Sequence, residues 1–286
     1  MRTYLDCIPC FLRLTLEQGR LLTGDEIVHR ELMNEATKLV PGFSLGLTPP
    51  RMVREMQEVI KRRFPNCDPY EKVKDQSNCR AMELYPMLKE KVARSEDRLL
   101  TAVELAIAGN VIDYAAKNNL NIEHEIQAIL TGSFTVKQKS VFEYDLFRKE
   151  LAEAKTILYL ADNAGEIVFD RVLIEEISAG RKVIVAVRDK PILNDAIMED
   201  AVFCGVDKIA RVISSGVDSP GTVLEYCSEE FLKIFKEADM VISKGQGNYE
   251  ALTEAPRKIF FLFKVKCPVI AHHSGAQMGD IVLKQI

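Results

Sequence analysis

Four polar segments in the second half of the chain bear side chains that can do chemistry. Asp162-Asn163-Ala164-Gly165-Glu166 follows one apolar run, and Asn194-Asp195, with Asp200 further on, follows another. Ser214-Ser215-Gly216-Val217-Asp218 leads into Ser219-Pro220-Gly221-Thr222, and Lys244-Gly245-Gln246-Gly247-Asn248 closes the set. Carboxylate and carboxamide oxygens suit a hard divalent cation such as Mg²⁺ or Mn²⁺ better than Zn²⁺. Lys244 beside them suits a phosphate, and the small residues at Ser215, Gly216 and Gly245 let a ligand approach backbone N–H groups. A cation in that setting polarises a phosphate ester and lowers the pKa of a water. Each segment alone has a plainer reading. Asp162-Asn163 would serve as a turn or cap, Asn194-Asp195 as an N-cap, and Asp200 as a solvated helix face. Gly245-Gln246-Gly247 lacks the lysine pattern of a nucleotide-binding loop. Their coincidence at successive strand ends argues for a site.

The first half offers weaker signals. Asp68, Tyr70, Lys74 and Asn78 are spaced so that positions 70, 74 and 78 share a helical face, as a cap and a solvated face would also require. Asn110 and Asp113 lie one turn apart in an otherwise apolar stretch, so they must find internal partners or line a site. Cys7 and Cys10 lie one turn apart near a helix start, where a thiolate can be stabilised. A second metal, a redox pair and simple packing all fit them, although Cys67 and Cys79 complete no standard zinc spacing. His272-His273 is read as surface histidine or as support for a nearby site.

Taken in order, these segments resemble the signature blocks of the metal-dependent damage-control phosphatases (domain-of-unknown-function family 89). Asp162 to Glu166, Asn194-Asp195 with Asp200, Gly216 to Thr222 and Lys244 to Asn248 carry the likeness, joined by Asp68-Pro69-Tyr70 with Lys74 and Asn78, and by Gly109-Asn110 with Asp113. Cys7-Ile8-Pro9-Cys10 resembles the start of the subgroup with an N-terminal Cys pair. The resemblance implies a divalent metal, Co²⁺, Ni²⁺, Mn²⁺ or Mg²⁺, held by Asp162, Asn163 and Asp200. It implies that Lys244 meets the phosphoryl group and that the helical blocks face the cleft. The implied substrates are phosphate monoesters of small metabolites, either sugar phosphates or damaged cofactor precursors. In those roles Asn194, Ser215, Gly216, Gly245 and Asn248 would line the phosphate, and Glu166 would orient a water or support a ligand. Asp162 would bind metal or attack phosphorus; the absence of an Asp-x-Asp arrangement favours attack by water. A Rossmann-type methyltransferase, a noncatalytic metal or phosphometabolite binder, and a zinc-stapled interaction module built on Cys7 and Cys10 stay open as alternatives.

The elements that must position these residues fall into two regimes. Up to about residue 150 the pattern is helix after helix: 8–22, 25–39, 48–63 opened by Thr48 and two prolines, 70–85 ended or kinked by Pro86, and 96–118. Beyond it come short apolar runs at 156–161, 182–187, 210–214, 240–243, 259–263 and 268–271, most of them separated by amphipathic segments at 166–178, 195–204 and 222–238. Buried strands alternating with helices imply a parallel sheet with right-handed crossovers. The expected fold is therefore α/β, a mostly parallel Rossmann-like sheet flanked by helices (residues 151–286), with an all-helical N-terminal domain (residues 1–150). The last two runs are too close for a crossover and predict an antiparallel edge pair.

Composition narrows the partners. A net charge of −4 with interspersed signs shows no electrostatic footprint of a nucleic-acid binder. No apolar run reaches the roughly 18 to 20 residues that span a bilayer, and Met1-Arg2-Thr3 begins too polar a stretch for a signal peptide. Seven cysteines, an odd number mostly placed singly, fit a reducing compartment. The expectation is a cytoplasmic enzyme acting on a small phosphorylated metabolite, without nucleic acid or membrane, its oligomeric state open.

Overall fold

A computed structural model describes residues 1–109 and 139–286. Five helices lead: α1 (Cys7–Leu22), α2 (Glu26–Leu39), α3 (Pro49–Arg63), α4 (Glu71–Arg94) and α5 (Arg98–Ala108). After α6 (Tyr144–Glu153), strands and helices alternate as β1 (Thr156–Leu160), α7 (Glu166–Ile177), β2 (Lys182–Val187), α8 (Met198–Phe203), β3 (Arg211–Ser214), α9 (Glu229–Glu237), β4 (Met240–Lys244), α10 (Gln246–Leu252), β5 (Phe260–Lys264), α11 (Pro268–Ser274) and β6 (Ile281–Gln285). The six strands form one sheet in the order β3-β2-β1-β4-β5-β6, parallel except for β6, which runs antiparallel to β5.

Apolar residues fill both faces of the sheet because both are covered. Ile157 and Tyr159 of β1, with Val183, Val185 and Val187 of β2, point into a core shared with α7, α4, α5 and α6. Their neighbours Leu158, Leu160, Ile184 and Ala186 point the other way, onto Phe231 and Phe235 of α9, Tyr249 and Leu252 of α10 and Ile270 of α11. Val103, Leu105 and Ile107 of α5 are fully buried in the first of these cores. At about 2 kcal/mol for each side chain, that burial fastens α5 to the sheet layer. Helices α1, α2 and α3 instead close smaller clusters of their own, around Phe11, Met52, Val53 and Met56 and around Leu32, Val59 and Ile60.

Several elements differ from expectation. The run 268–271 is helical, not a strand: Pro268 occupies the first turn of α11, where its missing N–H is no loss. The antiparallel edge pair exists, but β6 at 281–285 supplies it. Pro86 neither ends nor splits α4, because it sits on the exposed side, where water can satisfy the carbonyl it leaves. The segments 195–204 and 222–238 contain shorter helices than expected; α9 starts only after Ser228, whose hydroxyl caps the Phe231 N–H. Among the described residues, no helix is long and apolar enough to cross a membrane.

Candidate active site

The crevice opens where the strand order reverses. Neighbouring strands β1 and β4 feed helices on opposite faces, α7 and α10, which leaves a gap beyond their carboxyl ends. The loop after β2 folds back across that gap. Ala164 N donates to Asn194 O at 2.9 Å, Ala196 N donates to Asp162 O at 2.8 Å, and Asn163 pairs with Asp195 as an antiparallel bridge. These bonds bring Asp162, Asn163, Asn194 and Asp195 together on the floor of a cleft of about 440 Å³. α1, α3 and the start of α11 supply its walls.

The amide of Asn163 has a defined orientation. Its Nδ2 donates to Asp162 Oδ2 at 2.8 Å and to Glu166 Oε2 at 2.9 Å, so Oδ1 faces the other way, toward Asn194 Nδ2 at 2.8 Å. Burial raises the Asp162 pKa well above the usual carboxylate range, and the neighbouring charges of Glu166 and Asp195 push it further. Arg188 and Lys266 act against that rise. Arg188 is itself buried: Nε donates to Asp195 Oδ2 at 2.7 Å and its other nitrogens reach Thr222 Oγ1 at 3.0 Å and Asn248 Oδ1 at 3.1 Å. Lys266 is exposed on the cleft wall. Two acids and an amide oxygen, crowded together with Arg188 as their one buried cation among the described residues, form a donor set that suits a hard cation. Among the described residues, no three His, Cys, Asp or Glu side chains gather into a metal-holding group, so the Asn163 amide is integral to this fit.

Lys244, expected at the phosphate, is enclosed instead. Its ammonium donates to Ala106 O and Glu166 Oε1, both at 2.7 Å, and to Asp170 Oδ1 at 2.5 Å, with no exposed surface. Burial opposes its charge, but Asp170 and Glu166 outweigh that and raise its pKa. Glu166 thus joins Lys244 to Asn163 and orients the amide from behind. It does not line the cleft.

Asp200 also stands apart from Asp162. Its carboxylate accepts from Asn78 Nδ2 at 2.7 Å and from Ile197 N at 2.9 Å, with Lys74 Nζ at 3.8 Å, and it is absent from the cleft lining. Asp195, five residues earlier, occupies the floor. Tyr70, Lys74 and Asn78 share one helical face as their spacing predicts, but that face is buried against the sheet layer and not solvated. Lys74 pairs with Asp68 at 2.9 Å, Asp68 caps the Tyr70 N–H at 2.8 Å, and Asn78 Oδ1 accepts from Gly165 N at 2.7 Å. α4 therefore docks on the loop after β1 and does not face the cleft.

The small residues have packing roles. Gly216 (φ +83°) lies against Ser228, its N–H donating to Ser214 Oγ at 3.0 Å, and the Ser215 hydroxyl donates to Val187 O at 2.7 Å. Gly245 (φ +79°) donates its N–H to Leu262 O at 3.0 Å, and a Cβ there would lie 2.0 Å from Asp162 Oδ2. Neither N–H is directed at a phosphate. Asn248 is a clasp: Nδ2 donates to Lys244 O and Ala161 O, and Oδ1 accepts from Thr222. Cys7 and Cys10 are free thiols on the cleft wall, with the Cys7 pKa raised mainly by burial. His273 Nδ1 meets the Tyr249 hydroxyl at 2.9 Å. Asn110 and Asp113 lie outside the described residues.

An acidic, amide-bearing crevice at the switch point of a doubly wound sheet lies where open α/β sheets bind their ligands. The family model for the damage-control phosphatase ARMT1-like domain matches residues 3–282, and the chain belongs to that family. A damage-control phosphatase of Archaeoglobus fulgidus is 33% identical, the match covering 98% of each chain. One from Pyrococcus horikoshii is also 33% identical, over 99% of this chain and 97% of its own. An uncharacterised protein of Methanocaldococcus jannaschii reaches 39% identity over 97% of this chain and 93% of its own. The crystal structure of a family 89 protein from Pyrococcus horikoshii matches with a TM-score of 0.89 at 30% identity, covering 100% of this chain and 99% of that one.

Proposed function

We propose that the chain is a phosphatase that hydrolyses phosphate monoesters of small metabolites, with a divalent cation held by Asp162, the Asn163 amide oxygen and Asp195. The observation that carries this is the buried, mutually repelling Asp162 and Asp195 sewn together on the cleft floor beside an oriented amide. Bound there, Co²⁺, Ni²⁺, Mn²⁺ or Mg²⁺ would neutralise phosphoryl charge and lower the pKa of an attacking water. Lys266, the exposed cation of the wall, is placed to receive the phosphate's remaining charge. Arg188 holds Asp195 and keeps the floor from spreading, and Glu166 fixes the Asn163 rotamer. Asp162 lies beneath Gly245, which leaves it room as a ligand. Because the strand end lacks an Asp-x-Asp arrangement, water is assigned as the nucleophile and Asp162 as a ligand.

Phosphate release from sugar phosphates and an aryl phosphate, measured on metal-stripped protein before and after adding each cation, tests the reading. Asp162→Ala and Asp195→Ala are expected to lower metal-restored turnover by about 10³-fold or more, the scale on which electrostatic stabilisation is lost. Asp200→Asn should lower thermal stability more than turnover. If no cation restores turnover that depends on Asp162, the hydrolytic reading fails.

A further inference from the structure

The cleft has two chemically different halves. Its floor is Asp162, Asn163, Asn194 and Asp195, whereas Phe11, Leu14, Pro50, Val53, Leu193 and Val269 make up the apolar part of its wall, which also carries Asp6 and Lys266. The thiols of Cys7, Cys10 and Cys267 extend that wall and act as small apolar groups. Several polar side chains nearby are engaged with one another. The Gln246 amide donates to Glu250 Oε1 at 3.0 Å and Cys267 Sγ at 3.6 Å while accepting from Lys266 N at 3.2 Å. Asn194 Nδ2 is bonded to Asn163, and Arg13 and Glu17 at the rim face each other at 3.8 Å.

Leu193 singles out this wall. It adopts φ +49°, a left-handed conformation that favours glycine and is unfavourable for a bulky side chain. Glycine or asparagine would make the same turn at lower cost, yet the chain keeps a leucine immediately before Asn194 and Asp195. Its side chain packs onto the cluster of Phe11 and Val53, at the junction of wall and floor. A strained apolar residue at this junction indicates that the side chain itself is required.

We infer that the substrate is a phosphate monoester with an apolar carbon chain next to the ester oxygen, rather than a polyhydroxylated sugar phosphate, and that Leu193 determines this preference. The inference rests on the phosphatase reading for the placement of the phosphoryl group on the floor. The apolar part of the wall removes apolar surface from water in proportion to chain length, whereas sugar hydroxyls set against those residues would lose water with few partners to replace it.

Calorimetric titration of the Mn²⁺-supplemented protein with n-alkylphosphonates, methyl to hexyl, tests it without turnover. Affinity should rise about fourfold per methylene through the middle of the series. Glucose 6-phosphate should bind no more tightly than methylphosphonate. Leu193→Gly should flatten the slope to under about twofold per methylene while its melting temperature stays within about 3 °C of the parent, because lost packing is offset by relief of the left-handed leucine. Leu193→Ala, which keeps the strain, should flatten the slope and melt lower. A flat slope in the parent, no phosphonate binding, or tightest binding by glucose 6-phosphate overturns the inference. Metal-dependent release of phosphate from an aryl phosphate judges hydrolysis separately. Release with a flat slope removes the chain preference alone, and a steep slope without release removes hydrolysis alone.

Discussion

The two strand-end lysines differ in what surrounds them, and that difference predicts opposite phenotypes. Lys266 is exposed on the wall near Asp162, so Lys266→Ala should raise KM for a phosphate ester at least about tenfold while leaving the melting temperature nearly unchanged. Lys244→Met strands Glu166 and Asp170 as buried carboxylates facing one another. Breaking a buried ion pair from one side costs about 3–5 kcal/mol, which lowers the melting temperature by roughly 10 °C. Steady-state kinetics and thermal scans on the two variants check both expectations. The Lys244 segment is legible in the sequence, but the partners that enclose its ammonium are not, because they come from α7. A signal was present: Glu166 and Asp170 are spaced i, i+4 and flank the apolar run Ile167-Val168-Phe169, which calls for a buried cation opposite them. The position of Asp162 and Asn163 at the cleft floor is legible because two oxygen-bearing side chains leave a buried strand together. That Asp195 lines the cleft and Asp200 does not follows from the loop folding back onto residues 162–164, a contact that spacing does not show.

Where elements meet, close backbone approach governs the site more than hydrogen bonding to ligand does. Gly245 joins β4 to α10 with its Cα directly against the Asp162 carboxylate, so Gly245→Ala must displace that carboxylate as well as strain the turn. Metal-dependent kcat/KM is expected to fall about 100-fold or more, since small misplacement of a catalytic group has that effect. Gly275→Ala provides the contrast: its φ is similar at +78°, but nothing lies within 4 Å, so it should lose about 1 kcal/mol of stability and keep its activity. The sheet that sets these junctions was largely readable, because strands buried on both faces show as continuous apolar runs. The edge beyond β5 was not. Val269-Ile270-Ala271 has a strand's composition but turns behind Pro268 as a helix, while Ile281-Val282-Leu283 ends in Lys284-Gln285 and shows too short an apolar run. Reading 268–271 as a strand also obscured Lys266, which leaves β5 at the cleft mouth.

Across the whole molecule, Phe11, Val53 and Leu193 of the wall belong to the cluster built by α1 and α3, so the cleft's shape depends on what ties α3 to the sheet loops. Pro50 packs against Gly221, and Arg54 forms a charged link: Nε donates to Asp218 Oδ1 at 2.5 Å, while its guanidinium lies 4.5 Å from the Tyr226 ring. Lys61 approaches the same carboxylate at 3.3 Å. Burial of Asp218 acts against its charge, but Arg54 and Lys61 outweigh it and hold its pKa below the usual range. A carboxyl depressed in the folded state contributes stability above its unfolded pKa of about 3.9, and that contribution is lost as pH falls through the folded value. Because Arg54 is about a third exposed, Asp218→Asn should cost only about 1 kcal/mol at pH 7 in urea denaturation. The difference from the parent should shrink on acidification below about pH 4, where the parent loses its own charge. The same variant should raise KM at pH 7, since loosening α3 moves Pro50 and Val53 relative to the floor. An undiminished stability gap at low pH would show that the link acts through packing on Tyr226, whereas a KM equal to the parent's would show that the wall is held by the Pro50–Gly221 contact alone.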